Sequence, residues 1–203
     1  MMQQILQRLR RRTSRPLSSK PRNRWRIAAA AVGLTLGATS ATAAIIAVVP
    51  SVVLFVPLNV SLNQTQSNTQ IAAFDEKQCI VLAADLQTDQ GVIPKNTRIS
   101  SHFLHTDPVS VSLLSGRAQF DSDIIGVIST SAKLDASDVP CGRAGVIYPV
   151  PGTELNRGLE AFQPNDQYTI ISSRVIQIQT DVPSFSDQVR VITCCRELCP
   201  DAH

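Results

Sequence analysis

The chain has 203 residues, 43% hydrophobic, 17% charged and only 4% aromatic, which is length enough for one or two domains. Its net charge of +3 averages two opposite regions: residues 1–26 carry nine basic side chains and no acid, while the remainder holds 10 basic against 16 acidic residues. An acidic remainder without interleaved aromatic and basic residues argues against nucleic acid as a partner.

The leader runs over residues 1–26, with Arg8, Arg10, Arg11, Arg12, Arg15, Lys20, Arg22, Arg24 and Arg26. Basic residues ahead of an apolar segment are held on the cytoplasmic side during insertion. The next charged side chain after Arg26 is Asp75. Residues 27–57 are therefore expected to be a transmembrane anchor or signal segment. About 20 apolar residues cross the hydrocarbon core, and Ile27–Val49 supplies that number before Pro50 stops the helix. Two fates stay open: an uncleaved anchor, or cleavage after the small-residue run Ala41-Thr42-Ala43. Either sends the rest of the chain out of the cytoplasm. Residues 58–73 then read as a polar linker, rich in Gln, Asn, Thr and Ser and lacking charge over Leu58–Gln70. Asn59 and Asn63 lie in N-x-S/T sequons, most simply chance occurrences.

From Phe74 the apolar pattern becomes short and alternating. Cys79–Leu86, Arg98–His105, Val109–Phe120, Ile124–Ser129, Gly145–Val150, Tyr168–Ile171, Arg174–Thr180 and Gln188–Cys194 read as strands, rich in Val, Ile and Thr and bounded by turn formers. No window sustains a 3.6-residue apolar stripe over three turns. The expected fold of residues 74–193 is all-β, an antiparallel two-sheet β-sandwich of jelly-roll type, behind an N-terminal transmembrane or signal helix. A Cys-rich tail, residues 194–203, closes the chain.

The runs VIPKNTRISSHFLH, FDSDIIGVIST, LDASDV, NRGLE, DQYTII and DQVRVIT, in this order over about Gly91 to Thr193, resemble a widespread group of secreted bacterial β-sandwich proteins. Many members of that group carry a carboxy-terminal PEP-CTERM sorting anchor, and the group has no assigned activity. The resemblance implies export, a sandwich fold and surface or matrix placement, with no catalytic residues to carry over. This chain ends in CCRELCPDAH instead, so the sorting anchor is not implied for it.

Five cysteines, Cys79, Cys141, Cys194, Cys195 and Cys199, fall on the exported side, where disulfides persist. A Cys79–Cys141 link with another closing the tail onto Cys199 is one pattern among several. A zinc site from Cys194 or Cys195, Cys199 and His203 lacks a fourth ligand and is the weaker reading. Asp121 and Asp123, or Asp135 and Asp138, are weighed as calcium ligands. Turn or cap hydrogen bonding is preferred, because no dense acidic loop surrounds them. His102 and His105, three apart on a strand, face opposite ways and read as surface or edge histidines. No nucleophile elbow, phosphate loop or H-E-x-x-H is present, so no catalytic residue and no cofactor is assigned. The expected function is an exported, membrane-anchored interaction or structural module of the cell envelope, with the membrane and an envelope protein or glycan as partners. The alternatives are a pilus or secretion accessory with a SAF-like domain, suggested by DLQTDQGVIPKNTRISS, and an extracellular carbohydrate-active enzyme.

Overall fold

The computed structural model describes residues 44–110, 112–159, 165–182 and 185–195. Residues 1–43, with the basic leader and the start of the apolar segment, lie outside them, as do Cys199 and His203.

The described chain is mostly strand. In order it forms β1 (Ile45–Val49), β2 (Val52–Leu54), β3 (Ile71–Asp75), β4 (Ile80–Val81), β5 (Leu86–Thr88), β6 (Gly91–Ile93), β7 (Arg98–Thr106), β8 (Ser112–Phe120) and β9 (Ile124–Ile128). One helix follows, α1 (Ser131–Cys141), and then β10 (Gln167–Ser172), β11 (Val175–Val182) and β12 (Asp187–Cys194). A four-stranded antiparallel sheet has the order β1-β8-β11-β10. A six-stranded sheet has the order β2-β3-β7-β12-β9, with β4 also on β7, and β5-β6 is a separate hairpin. All pairings are antiparallel except β2 with β3.

The central strands β7 and β12 are buried along almost their whole length. Side chains alternate across a strand, so burial at successive positions means that both faces are covered. On one face Leu104, Val189 and Val191 share a core with Leu114, Phe120, Ile176 and Ile178 of the four-stranded sheet. On the other, Ile99, Phe103 and Ile192 pack with Leu134 and Cys141 of α1 and with Leu82, Leu86 and Ile93 around the hairpin. Each fully buried Ile, Leu or Phe contributes about 1.5–3 kcal/mol of transfer free energy, so these two clusters are the main apolar driving force for the fold.

Several sequence expectations are corrected. The segment expected to be an anchor helix to Val49, and anchor or signal to residue 57, supplies β1 and β2 instead. Ile45-Ile46-Ala47-Val48-Val49 is β-branched and unbroken, and it finds a ladder partner in β8. Only Ile27–Ala43 of the apolar stretch remains outside the described residues. No helix among the described residues is long and apolar enough to cross a membrane. The expected linker, residues 58–73, is built into the domain. Val60 and Ile71 are fully buried, Asn59 bridges to Ile147, and the amides of Asn63 and Thr65 donate to the Asp107 carboxylate. Its polarity serves local hydrogen bonds rather than solvation. Gly145–Val150 holds only that bridge and no strand. The segment with Asp135 and Asp138, expected to be a turn or helix cap, forms α1, whose Leu134, Ser137 and Cys141 at i, i+3 and i+7 face the core.

Candidate functional site

The strongest cluster of chemistry-bearing side chains lies where α1 meets the back of the six-stranded sheet. Arg190 sits in β12 between Val189 and Val191, and alternation turns it toward α1. It is fully buried. Its Nε donates to Glu76 Oε2 at 2.7 Å and its Nη2 to Glu76 Oε1 at 2.8 Å, a two-pronged pair in which neither partner reaches solvent. Nη2 also donates to Asp138 at 3.0 Å, and Nη1 donates to the Ser137 hydroxyl. The guanidinium stacks over Phe103, 4.9 Å from the ring centroid, with Tyr148 at 5.6 Å. Tyr148 donates its hydroxyl to Glu76 at 2.6 Å, and Ser101 donates to the same carboxylate at 2.5 Å.

A second buried guanidinium joins this one through Asp138. Arg157 donates from Nη1 to Asp138 at 2.7 Å and to Asp135 at 2.8 Å, and from Nε to Gln188 of β12 at 2.8 Å. Its position is fixed because residues 157–159 run along 129–131: the amides of Arg157 and Gly158 donate to Ser131 Oγ and that of Leu159 to the Ser129 carbonyl. A Cβ on Gly158 would lie 2.2 Å from the Ser129 carbonyl oxygen, which leaves room for glycine alone. The result is a chain of alternating charge, Glu76–Arg190–Asp138–Arg157–Asp135, that staples α1 to two neighbouring segments.

The electrostatics follow from burial. Arg190 is held above the ordinary arginine range: burial opposes its charge, but Glu76 and then Asp138 more than offset this. Burial and the adjacent Glu76 carboxylate push the Tyr148 phenol well up. The Cys141 thiol, buried and free, is raised to about 11, chiefly by burial, and is a packing group rather than a nucleophile.

A second polar chain crosses the opposite face of β7. His102 Nδ1 lies 2.7 Å from Asp75 Oδ1, and its Nε2 lies 3.0 Å from Thr193 Oγ1. With the Nδ1 proton directed at the carboxylate, Nε2 accepts the threonine hydroxyl. Carboxylate, imidazole and hydroxyl in series is the arrangement that activates a nucleophile. Here both His102 and Thr193 are fully buried, and the imidazole lies 4.7 Å from the Phe120 ring. No carbonyl carbon can approach that hydroxyl, so the chain satisfies buried polar groups. Asp75 alone reaches solvent, lining a groove of about 220 Å³ with Arg143, Leu54, Phe55 and Val56.

His105 points to the other face, as its spacing from His102 requires. Its Nε2 is 2.6 Å from Thr65 Oγ1, while Nδ1 is buried with no partner. Burial, with Arg157 nearby, lowers its pKa to about 3, so it is neutral. Both histidines, expected at the surface or an edge, are interior, because β7 is covered on both sides.

The other sequence candidates are separated by the fold. Asp121 accepts the Ala44 amide and holds the chain where β1 begins. Asp123 accepts from Arg174 at 2.8 Å and from Ser173, and that hydrogen-bonded guanidinium lowers its pKa. Asp135 and Asp138 belong to α1 and neutralise Arg157, and Asp135 Oδ2 also accepts the amide of Gly152 in the turn at 151–153, at 2.8 Å. Among the described residues no group of three or more His, Cys, Asp or Glu side chains could hold a metal ion. Cys79 pairs with Cys195, not with Cys141: Cys79 directly precedes β4 and Cys195 directly follows β12, and the adjoining residues Ile80 and Cys194 both register with Ile99 of β7. Cys194 is also disulfide-bonded.

Residue-type motifs missed the clamp. Its signal lay in Val-Arg-Val at 189–191, an arginine flanked by two valines within β12, and in the acids of the LDASD run. No family model, curated protein or solved structure matches this chain.

Proposed function

We propose that the chain is an exported, membrane-anchored module of the cell envelope that acts by binding or structural contact, its two larger sheets forming a jelly-roll-like sandwich. The Cys79–Cys195 disulfide carries this reading. It joins residues 116 apart in sequence and ties the segment before β4 to the end of β12, a link that persists only outside a reducing compartment. The nine basic residues before an uncharged apolar segment support the same direction of export. The core shared between the two sheets supports the sandwich. A non-enzymatic role is favoured because the acids and bases of the two polar chains are bonded to one another in the interior rather than turned toward a cleft.

The likeness to the secreted bacterial sandwich group gains a physical content. Three of its six runs, LDASDV, NRGLE and DQVRVIT, supply Asp135, Asp138, Arg157 and Arg190, while Glu76 lies outside them. The partner is then an envelope protein or a glycan met by the outer surface.

The test is a pair of fusions after His203. Alkaline phosphatase, active only after export, is expected to be active, and green fluorescent protein exported through the same route is expected to be dark. The opposite pattern overturns export and the function with it.

A further inference from the structure

We infer that the edge of the domain carrying β1, β2 and the residues that follow is a membrane-contact surface, seated in the headgroup–acyl boundary of the bilayer to which the chain is anchored. The inference rests on the membrane-anchored reading and adds where the folded domain lies. Ile46, Val49, Leu54, Phe55, Val56 and Leu58 are 55%, 59%, 51%, 39%, 43% and 82% exposed, within a stretch that contains no charged side chain. Ile147, which donates its amide to the Leu58 carbonyl, is 59% exposed and extends the surface. Isolated surface apolar residues are ordinary; a continuous run of this kind marks a contact surface. β1 and β2 are also edge strands of their sheets, and apolar edges left bare invite aggregation.

Two features select lipid as the occupant. The first is continuity. The uncharged run begins at Ile27 and continues without a charged residue into β1, at whose start the Ala44 amide donates to Asp121 and the Ile45 amide to Asp75. No charged residue separates the apolar segment from Ile46, so on the anchored reading the surface stays beside the membrane. The polar run that might have served as a tether, residues 58–70, is folded into the domain. The second is chemistry. Branched aliphatics and one phenylalanine, bordered by Asp75 and Arg143 at Leu54–Val56 and by Arg117 at Val49, suit the shallow apolar layer beneath charged headgroups, as in interfacial proteins.

The test uses the full chain in vesicles of phosphatidylethanolamine and phosphatidylglycerol, with Trp25→Phe removing the native tryptophan. Single tryptophans are placed by Val49→Trp and Leu58→Trp, and by Val139→Trp on exposed α1 as a control. Lipids brominated on the acyl chains are expected to quench the tryptophans at 49 and 58 by roughly half, as shallow insertion allows, and to leave that at 139 unchanged. If the chain floats with the vesicles but positions 49 and 58 stay unquenched, the contact is refuted while the anchor stands. Should those positions become protected only as protein density rises, the edge is an interface between copies and the inference is overturned. A chain that does not float refutes the anchor and the contact together.

Discussion

Replacing Glu76 by glutamine is the sharpest perturbation of the clamp, because it removes a charge while preserving shape. Glu76 accepts four hydrogen bonds, from Arg190 Nε and Nη2, Tyr148 and Ser101, and both members of the Glu76–Arg190 pair are fully buried. A glutamine carbonyl can accept some of these, but its amide must then face another donor. Breaking a buried ion pair from one side costs about 3–5 kcal/mol, since the remaining charge has lost water and partner together. Asp138, 3.0 Å from Arg190, remains as a counter-charge and places the expected loss near the low end, at about 3 kcal/mol. Chemical denaturation of the oxidised chain, followed by far-ultraviolet circular dichroism, measures it. Thermal unfolding should shift down by about 10 °C. Adding Arg190→Met is expected to cost less than the two single changes summed, with a coupling of about 2 kcal/mol. An E76Q variant within about 0.5 kcal/mol of the parent would show that the clamp contributes no net stability.

Acid should weaken the fold through His105, whose folded pKa of about 3 lies below the ordinary 6.5: the unfolded state binds the proton first, so stability is lost as pH falls from about 6.5 toward 3. Between pH 6.5 and 4 this amounts to about 3 kcal/mol, and urea titrations of His105→Gln should show a correspondingly shallower pH slope. Replacing Cys79 and Cys195 together by serine removes a link across 116 residues and is expected to cost about 4–5 kcal/mol in the same assay, an effect absent when both proteins are compared under reductant. Gly158→Ala drives a methyl group into the Ser129 backbone and should destabilise by about 1–3 kcal/mol, whereas Gly145→Ala, where nothing lies nearby, should cost only the strain of its left-handed backbone.

Much of the strand pattern was legible. Alternating or β-branched runs at β7, β8, β9, β11 and β12 announce themselves because their residues meet a pleated, covered surface. The apolar run at 45–54 misled, because hydropathy and length alone cannot separate a β-branched sheet edge from a membrane segment. α1 escaped notice because Leu134 and Cys141 are its main apolar anchors, and its hold on the sheet is ionic. His102 and His105 were assigned to the surface for a related reason. Period-2 alternation gives the two faces of a strand, but only the fold reveals that both are covered. The disulfide partner of Cys79 depends on which strand lies beside β7, which is a matter of topology and not of spacing.

Trapping thiols in intact cells with a membrane-permeant alkylating agent, then mapping peptides by mass, addresses export and fold at once. A Cys79–Cys195 cross-linked peptide should be recovered, with Cys141 alkylated only after denaturation. Recovery of Cys79 and Cys195 as alkylated free thiols would contradict the pairing and remove the main support for an extracytoplasmic domain.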